Sequence, residues 1–432
     1  MSLAIALLTF TLILVLWQPK GLGMGWSALL GAFLALATGV ITWEDIVVAW
    51  ELLGNSFLTL IAISIICLIL DEAGFFSLLA RPMALLGLGL GWWLFCLLAL
   101  VAALVTALFT NYGSILIWTP VVMETMQVLS FRPKPTLAYV LATGFIADAA
   151  SLPLPFSNLV NLLAIDSFQV PLIRYAIVMV PIHFVALAIS FGVLWFYFDL
   201  LIPPTYQLAQ TTPASAVIRD PLICRWGFII LGWLLLGYFL PHLTWLVAWL
   251  AVLFLFALAG RWFYPGGGVL SLRKLLKQIP WQPLFFTTGM YFLIIGLGKA
   301  GLIPLLSQLF SQFSRWGITL ASMGTGFTAA LLSSLSNNLP VAVVNNLALQ
   351  EATADQSAIT EAMLYANLIG TSLGAKLIPW GSLSTLLWLD ILRRKGLNLF
   401  WGHYFRIHIA LTIPVLFICF LMLALWLPWL VV

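Results

Sequence analysis

Residues 155–163 read PFSNLVNLL and residues 379–387 read PWGSLSTLL, one pattern at an offset of 224 positions. Each sets a proline and an aromatic ring ahead of small polar residues, then resumes an apolar run. Both follow a Gly-containing apolar stretch in which Ala138 and Ala142 match Ala362 and Ala366. Pro153 and Pro155 remove two backbone donors and bar a continuous helix. They interrupt the run from Thr136 to Ile165, about thirty residues with one charge and too long for one straight span. The partner stretch, GTSLGAKLIPWGSLS, is broken by Gly374, Pro379 and Gly381. Near the same offset LFTNYG (108–113) faces LSNNLP (335–340), setting Asn111 against Asn338 and Thr110 against Asn337.

The surroundings of these breaks are lipid-like. Of 432 residues, 63% are hydrophobic and 7% charged, against about 25% charged in an average soluble domain. Long apolar runs recur from end to end, including Leu3 to Trp17, Ile61 to Leu70, Trp92 to Phe109 and Leu411 to Val432. A crossing helix needs about 20 such residues, so the chain has room for roughly 10 to 14. The first run lacks a basic n-region and a small-residue cleavage site, and is expected to stay as a first helix. The 20 tryptophans, many near the ends of the runs, fit an interfacial belt. The expected class is an all-α polytopic membrane protein.

Charge tests the repeat independently, because basic loops mark the cytoplasmic side. Arg132 and Lys134 face a stretch carrying Glu351, Asp355 and Glu361. The loop from Arg261 to Lys277 has four bases, and its counterpart holds Glu44, Asp45 and Glu51. Arg393, Arg394 and Lys395 face Phe168 to Leu172, with Arg174 close behind, and Lys20 faces Pro241 and His242. Equivalent loops of opposite character predict two inverted-topology repeats, with broken helices or re-entrant hairpins meeting at the bilayer midplane. The expected organisation is an N-terminal repeat at 1–200, a cytoplasmic linker at 201–221 and a C-terminal inverted repeat at 222–432, with both termini outside.

Inverted repeats of broken helices are how secondary transporters build a midplane site. At a break the freed N–H and C=O groups need partners, since lipid offers none. Thr110, Asn111, Ser157, Asn158, Asn161, Ser336, Asn337, Asn338, Ser382 and Thr385 are the candidates to serve that backbone and to line a solute cavity. The plainer role, gluing helices together at about 0.6 kcal/mol per bond, is open to each of them. Asp148 sits in an apolar helix beside the first break, where a charge costs about 2.5–3.5 kcal/mol. It either carries a proton or bonds helix ends. Its repeat equivalent is Ser372, and Lys376 lies about one helical turn beyond. Lys376 neutralises Asp148, favours a substrate oxygen, or serves free carbonyls. Asp71 and Glu72 end an apolar run and are placed at an interface, with Glu124 buried or interfacial. His183, His242, His403 and His408 lie near expected helix ends and suggest no ligand set.

Other functions lack their signatures. There is no HExxH, GxSxG or phosphate loop of the Walker type, so the chain does not power itself from ATP in the usual way. No basic, aromatic-interleaved surface suggests nucleic acid. Cys67, Cys96, Cys224 and Cys419 show no metal-ligand spacing and are expected to be buried free thiols. No cofactor or metal is expected. Two alternatives are open. One is a sodium- or proton-coupled carrier of an organic carboxylate or oxyanion, for which Lys376 would supply the cation. The other is a membrane-embedded hydrolase using Ser333, Ser334 or Ser336 with a distant His.

The stretches LVLWQPKGLGMGWSALLGAFLALATGVI, GFIADAASLPLPFSNLVNLL, LLSSLSNNLPVAVV and PWGSLSTLLWLDIL resemble, in order and spacing over essentially the whole chain, the arsenite/antimonite efflux permease family of the ion transporter superfamily. The resemblance implies arsenic resistance by export of arsenite and antimonite across the bacterial inner (cytoplasmic) membrane in exchange for protons. It also implies that a soluble arsenite-stimulated ATPase sometimes joins. Arsenite at neutral pH is mostly an uncharged trihydroxide, which suits a cage of amides and hydroxyls without thiolates. Two departures bear on coupling. Where the family commonly shows N-D-G, this chain has Asn111-Tyr112-Gly113, and where it shows D-L-G-P-K, this chain has Ser372-Leu373-Gly374-Ala375-Lys376. With those carboxylates absent, Asp148 is the leading candidate for proton coupling, with Lys376 beside it.

Overall fold

The computed structural model describes residues 1–207, 218–238, 240, 243–260, 272–353 and 358–430. Pro241, His242, Arg261, Asp355 and the middle of the expected linker, 208–217, lie outside the described residues.

Every apolar run forms helix. The first half holds α1 (Ser2–Trp17), α2 (Met24–Ala37), α3 (Trp43–Ala73), α4 (Phe75–Leu86), α5 (Gly91–Leu108), α6 (Asn111–Val128), α7 (Pro133–Ala149), α8 (Leu159–Phe168) and α9 (Leu172–Phe198). Then come α10 (Pro221–Tyr238), α11 (Thr244–Ala259), α12 (Leu272–Gln278), α13 (Trp281–Leu297), α14 (Ile303–Ser314) and α15 (Gly317–Leu335). The chain closes with α16 (Asn338–Ala352), α17 (Ala358–Gly374), α18 (Leu383–Arg394) and α19 (Trp401–Trp426). Local chemistry sets their ends. Asp45 accepts the Thr42 N–H at 2.9 Å, a capping box that starts α3, and Gly74 stops it in the left-handed region at φ 87°.

Seven of the described helices are long and apolar enough to cross a membrane by length and composition, fewer than the 10 to 14 segments that hydropathy allows. Part of the difference lies in apolar helices of 10–17 residues such as α1, α2 and α11, and part in the breaks. Helix α7 ends at Ala149 and α8 starts at Leu159, and α17 ends at Gly374 with α18 starting at Leu383, so each of these two runs is divided into short helices. The chain is an α-helical polytopic membrane protein.

Contacts sort the loops to two ends of the bundle. Tyr206 N–H donates to Gly89 O at 2.9 Å and its ring packs on Phe131, which places both outer ends of α5 and α6 together. Arg219 pairs with Glu72 at the foot of α3, and Gln282 accepts the Gly25 N–H at 2.8 Å. At the other end Gln350 donates to Ser167 O, Arg174 pairs with Glu361 at 2.7 Å, and Lys299 pairs with Asp45. Lys20, Arg132, Lys134, Lys277 and the run Arg393 to Lys395 thus fall at the first end, and Glu44, Asp45, Glu351 and Glu361 at the second.

The packing is exchanged between halves. Helix α2 lies against α13, and α11 against α3; α18 lies against α6, and α8 against α16. Within each half α5 packs on α7 and α15 on α17. The second of these contacts is backbone-close, because a side chain at Gly370 or Gly374 would strike Gly326 or Ala330.

One ion cluster joins α18 to the first half. Lys395 Nζ lies 2.9 Å from both Asp71 Oδ1 and Glu124 Oε1, and Ser77 donates to Glu124 Oε2 at 2.8 Å. Asp71 and Glu124 are therefore held as the sequence placed them, at the end of the bundle. Replacing Lys395 by Ala leaves two half-buried carboxylates facing each other without their cation. The expected loss is about 1–3 kcal/mol, between exposed and buried pairs, read as a lower thermal midpoint of the purified protein, with Lys395→Arg losing less.

Candidate functional site

The two breaks meet in the interior. At the first, Ser151 Oγ donates to Asp148 O at 2.8 Å, and Ser157 Oγ to Ser151 O and Leu154 O at 2.7 and 2.6 Å. Asn161 Nδ2 serves the same two carbonyls, at 2.7 and 3.2 Å. Ser157 and Asn161 thus satisfy broken backbone. Asn158 caps α8 through the Val160 N–H at 3.2 Å, and its amide nitrogen reaches across to Ser372 Oγ at 3.4 Å. Ser372 therefore holds a hydroxyl that joins the two breaks.

At the second break Asn337 caps α16 through the Leu339 N–H at 3.3 Å, while the Asn338 N–H donates to Gly381 O at 2.8 Å. Ser382 shares a 2.6 Å hydrogen bond with Ser384. Ser336, the last residue before this cap, and Thr385, in the first turn of α18, are buried beside them.

Asp148 and Lys376 form the centre. Their Oδ2 and Nζ lie 3.2 Å apart, and the residues are 3% and 2% exposed. Such a pair persists only if its remaining valences are filled. They are: Asp148 Oδ1 accepts from Asn111 Nδ2 and, at 3.1 Å, from Ser384 Oγ, and Lys376 donates to Phe145 O and sits over the Phe145 ring. Tyr404 OH holds the Lys376 carbonyl at 2.9 Å. The end of α7, the tip between α5 and α6, the second break and α18 all converge on one carboxylate.

Asn345 and Asn346 do something else. Asn345 Nδ2 donates to Asn367 Oδ1 at 2.8 Å, Asn367 Nδ2 to Asn346 Oδ1 at 3.0 Å, and Asn346 Nδ2 to Ser167 Oγ at 3.4 Å. This ladder glues α16 to α17 and α8. Some amide atoms are spare. Among the described residues, Asn111 Oδ1, Asn161 Oδ1, Asn337 Nδ2, Asn338 Oδ1 and, within the ladder, Asn345 Oδ1 are buried with no protein partner, the condition in which a solute or water is bound.

A cavity beside the centre differs from one at the basic end. One, of about 80 Å³, is lined by Asn55, Ser56 and Thr59 of α3, by Thr110, Tyr112 and Asn158, and by Tyr238, whose hydroxyl lies 3.2 Å from Thr110 Oγ1. The other, of about 330 Å³, lies at the basic end among Gln18, Gln282, Leu386, Asp390 and Arg393.

The sequence reading missed Ser384, although it lies two residues from Ser382, and it missed the α3 hydroxyls and Asn367, which carried no local signal. It misplaced two histidines: His183 and His408 are buried inside α9 and α19, not at helix ends. Among the described residues no group of three or more His, Cys, Asp and Glu is arranged for a metal. The hydroxyls of Ser333 and Ser334 donate to carbonyls of their own helix, at 3.1 and 2.8 Å.

A multi-pass helical bundle with two broken helices meeting at a buried, compensated ion pair defines a membrane protein of the transporter class. The sequence pattern of the arsenical pump membrane protein family matches residues 3–427. The chain is 45% identical over 429 residues to an arsenical pump membrane protein of Escherichia coli, covering 98% of this chain and 99% of that one. It is 43% identical, with the same coverage, to the arsenical pump membrane protein of Yersinia enterocolitica. The chain belongs to the arsenical pump membrane protein family and is a multi-pass protein of the bacterial inner membrane.

The amide ladder separates glue from site. Asn367→Ala removes two cross-helix bonds worth about 0.6 kcal/mol each and orphans two buried amides at about 1–3 kcal/mol. The thermal midpoint should fall while transport per folded molecule is retained; loss of transport with an unchanged midpoint would put Asn367 in the site.

Proposed function

We propose that this protein exports arsenite and antimonite from the cytoplasm in exchange for protons, by alternating access between two inverted repeats, 1–200 and 222–432, joined by a cytoplasmic linker at 201–221. The observation that carries the coupling is the Asp148–Lys376 pair, buried where both breaks meet and tied to Asn111. The repeat is supported by the exchanged packing, in which α2 on α13 is mirrored by α11 on α3 and α18 on α6 by α8 on α16, and by the sorting of basic and acidic loops to opposite ends. By the positive-inside rule the basic end faces the cytoplasm. The paired helices α5–α6 and α15–α16 are then re-entrant hairpins, entering from opposite sides with Thr110 and Asn337 at their tips.

Ionised, Asp148 holds Lys376, the Asn111 amide and Ser384 together. A proton on Asp148 weakens all three contacts and leaves a cation that must find other partners, so protonation favours a different arrangement of the hairpin tip and α18. Thr110, Asn111, Ser157, Asn158, Asn161, Ser336, Asn337, Asn338, Ser382 and Thr385 surround this element, and the uncharged trihydroxide bonds to those with spare valences. A carrier of carboxylates or oxyanions would need a free cation in the site, and Lys376 is engaged by Asp148.

Everted membrane vesicles test the function. Imposing a proton gradient should drive arsenite and antimonite uptake, and Asp148→Asn should abolish it at normal protein levels. Undiminished gradient-driven uptake by that variant would make Asp148 structural. Topology is tested with single cysteines in a background lacking the native four. A cysteine at Gly396 should react only from the cytoplasmic side and one at Gln169 only from outside; labelling of both from one side would remove the inverted arrangement.

A further inference from the structure

Resting on the transport function proposed above, we infer that the small cavity beside the first break is a solute site that recognises its ligand as a neutral polyhydroxy acid, and that boric acid is therefore a second ligand. The lining of this cavity contains hydroxyls, amides and apolar groups, and no Asp, Glu, Lys, Arg, His or Cys. An anion entering it would lose water without gaining a counter-charge, which is costly. Hydroxyls and amides both donate and accept, so they match a solute whose every polar atom does the same.

The cavity, of about 80 Å³, has room for a central atom with three hydroxyls. Ser56 and Thr59 stand three apart on α3, so they share a helix face. Thr59 donates to Asn55 O at 2.8 Å and keeps its acceptor sites. Thr110 accepts from the Gly113 N–H at 3.2 Å and meets the Tyr238 phenol. Tyr238 ends α10, which starts at the basic end, where Asp220 N–H donates to Ala73 O at 3.2 Å; it roofs the cavity from the side away from that end.

The cavity is also one residue from the coupling pair. Thr110 lines it, and the next residue, Asn111, donates to Asp148. A solute bonded to Thr110 pulls on the turn that the carboxylate holds, and a change at the carboxylate moves a wall of the cavity. The cavity at the basic end differs in kind, since Asp390 and Arg393 line it.

Thermal stabilisation of the purified protein in lipid nanodiscs at neutral pH tests this, with arsenite, boric acid and arsenate as probes. Arsenite and boric acid should each stabilise the wild type, boric acid should shift the arsenite titration to higher concentration, and arsenate should do neither. Thr59→Val should weaken both ligands about threefold to tenfold, as loss of one hydrogen bond does, and Ser56→Asp should weaken them further. Asn398→Ala, in the cavity at the basic end, should bind as wild type. Competition by arsenate equal to that of boric acid would overturn the inference. So would unchanged arsenite binding in both Thr59→Val and Ser56→Asp, even with arsenite uptake by wild-type vesicles confirmed. The converse result, the expected binding pattern without vesicle uptake, would uphold the cavity and sink the transport function instead.

Discussion

Backbone polarity in lipid is the constraint on which the rest of this structure depends. A helix crossing the bilayer satisfies its own N–H and C=O groups, and a break does not. Two breaks, each in the later part of one half of the chain, therefore require local donors and acceptors and a protein wall around them. Ser157 and Asn161 supply the first by bonding the carbonyls of Ser151 and Leu154. The exchanged helices supply the second, since α8 is buried against α16 and α18 against α6. Burial in turn makes any charge there costly, and the answer is a carboxylate with three partners rather than an isolated one.

The same groups divide by what their bonds leave over. Asn345, Asn346 and Asn367 spend their amides largely on one another and hold helices together. Asn111 and Asn337 cap or anchor with one amide atom and keep the other free. A side chain that does both tasks at once ties the rigidity of the break to the occupancy of the space beside it. This is why polar residues at the breaks do not sort cleanly into scaffold and site.

Helices and breaks were legible in the sequence because each rests on local chemistry: apolar length for α3 or α19, proline and glycine for the ends of α7 and α17. The pairing of Asp148 with Lys376 was legible too, through the repeat offset that sets Ser372 opposite Asp148. Composition did not reveal which asparagines are glue, because Asn367 lies more than twenty residues from the amides it meets. The α3 hydroxyls were hidden for a related reason. Asn55, Ser56 and Thr59 stand in an unbroken helix, and only the approach of Tyr238 from the other half gives them a cavity to line.

The exchange of helices between halves has a consequence for how the chain is made. Helix α2 emerges from the ribosome about 260 residues before its main partner α13, and α6 about as long before α18. Contacts so distant in sequence form late. The first half must wait in the bilayer with the faces of α2, α3 and α6 covered by lipid or by an insertion factor, so neither half can complete its core alone. A chain stopped before α13 would present a first break whose protein wall has not yet been synthesised, an easy mark for membrane proteases. Quality control acts here on a whole molecule, because the two halves are stitched through each other.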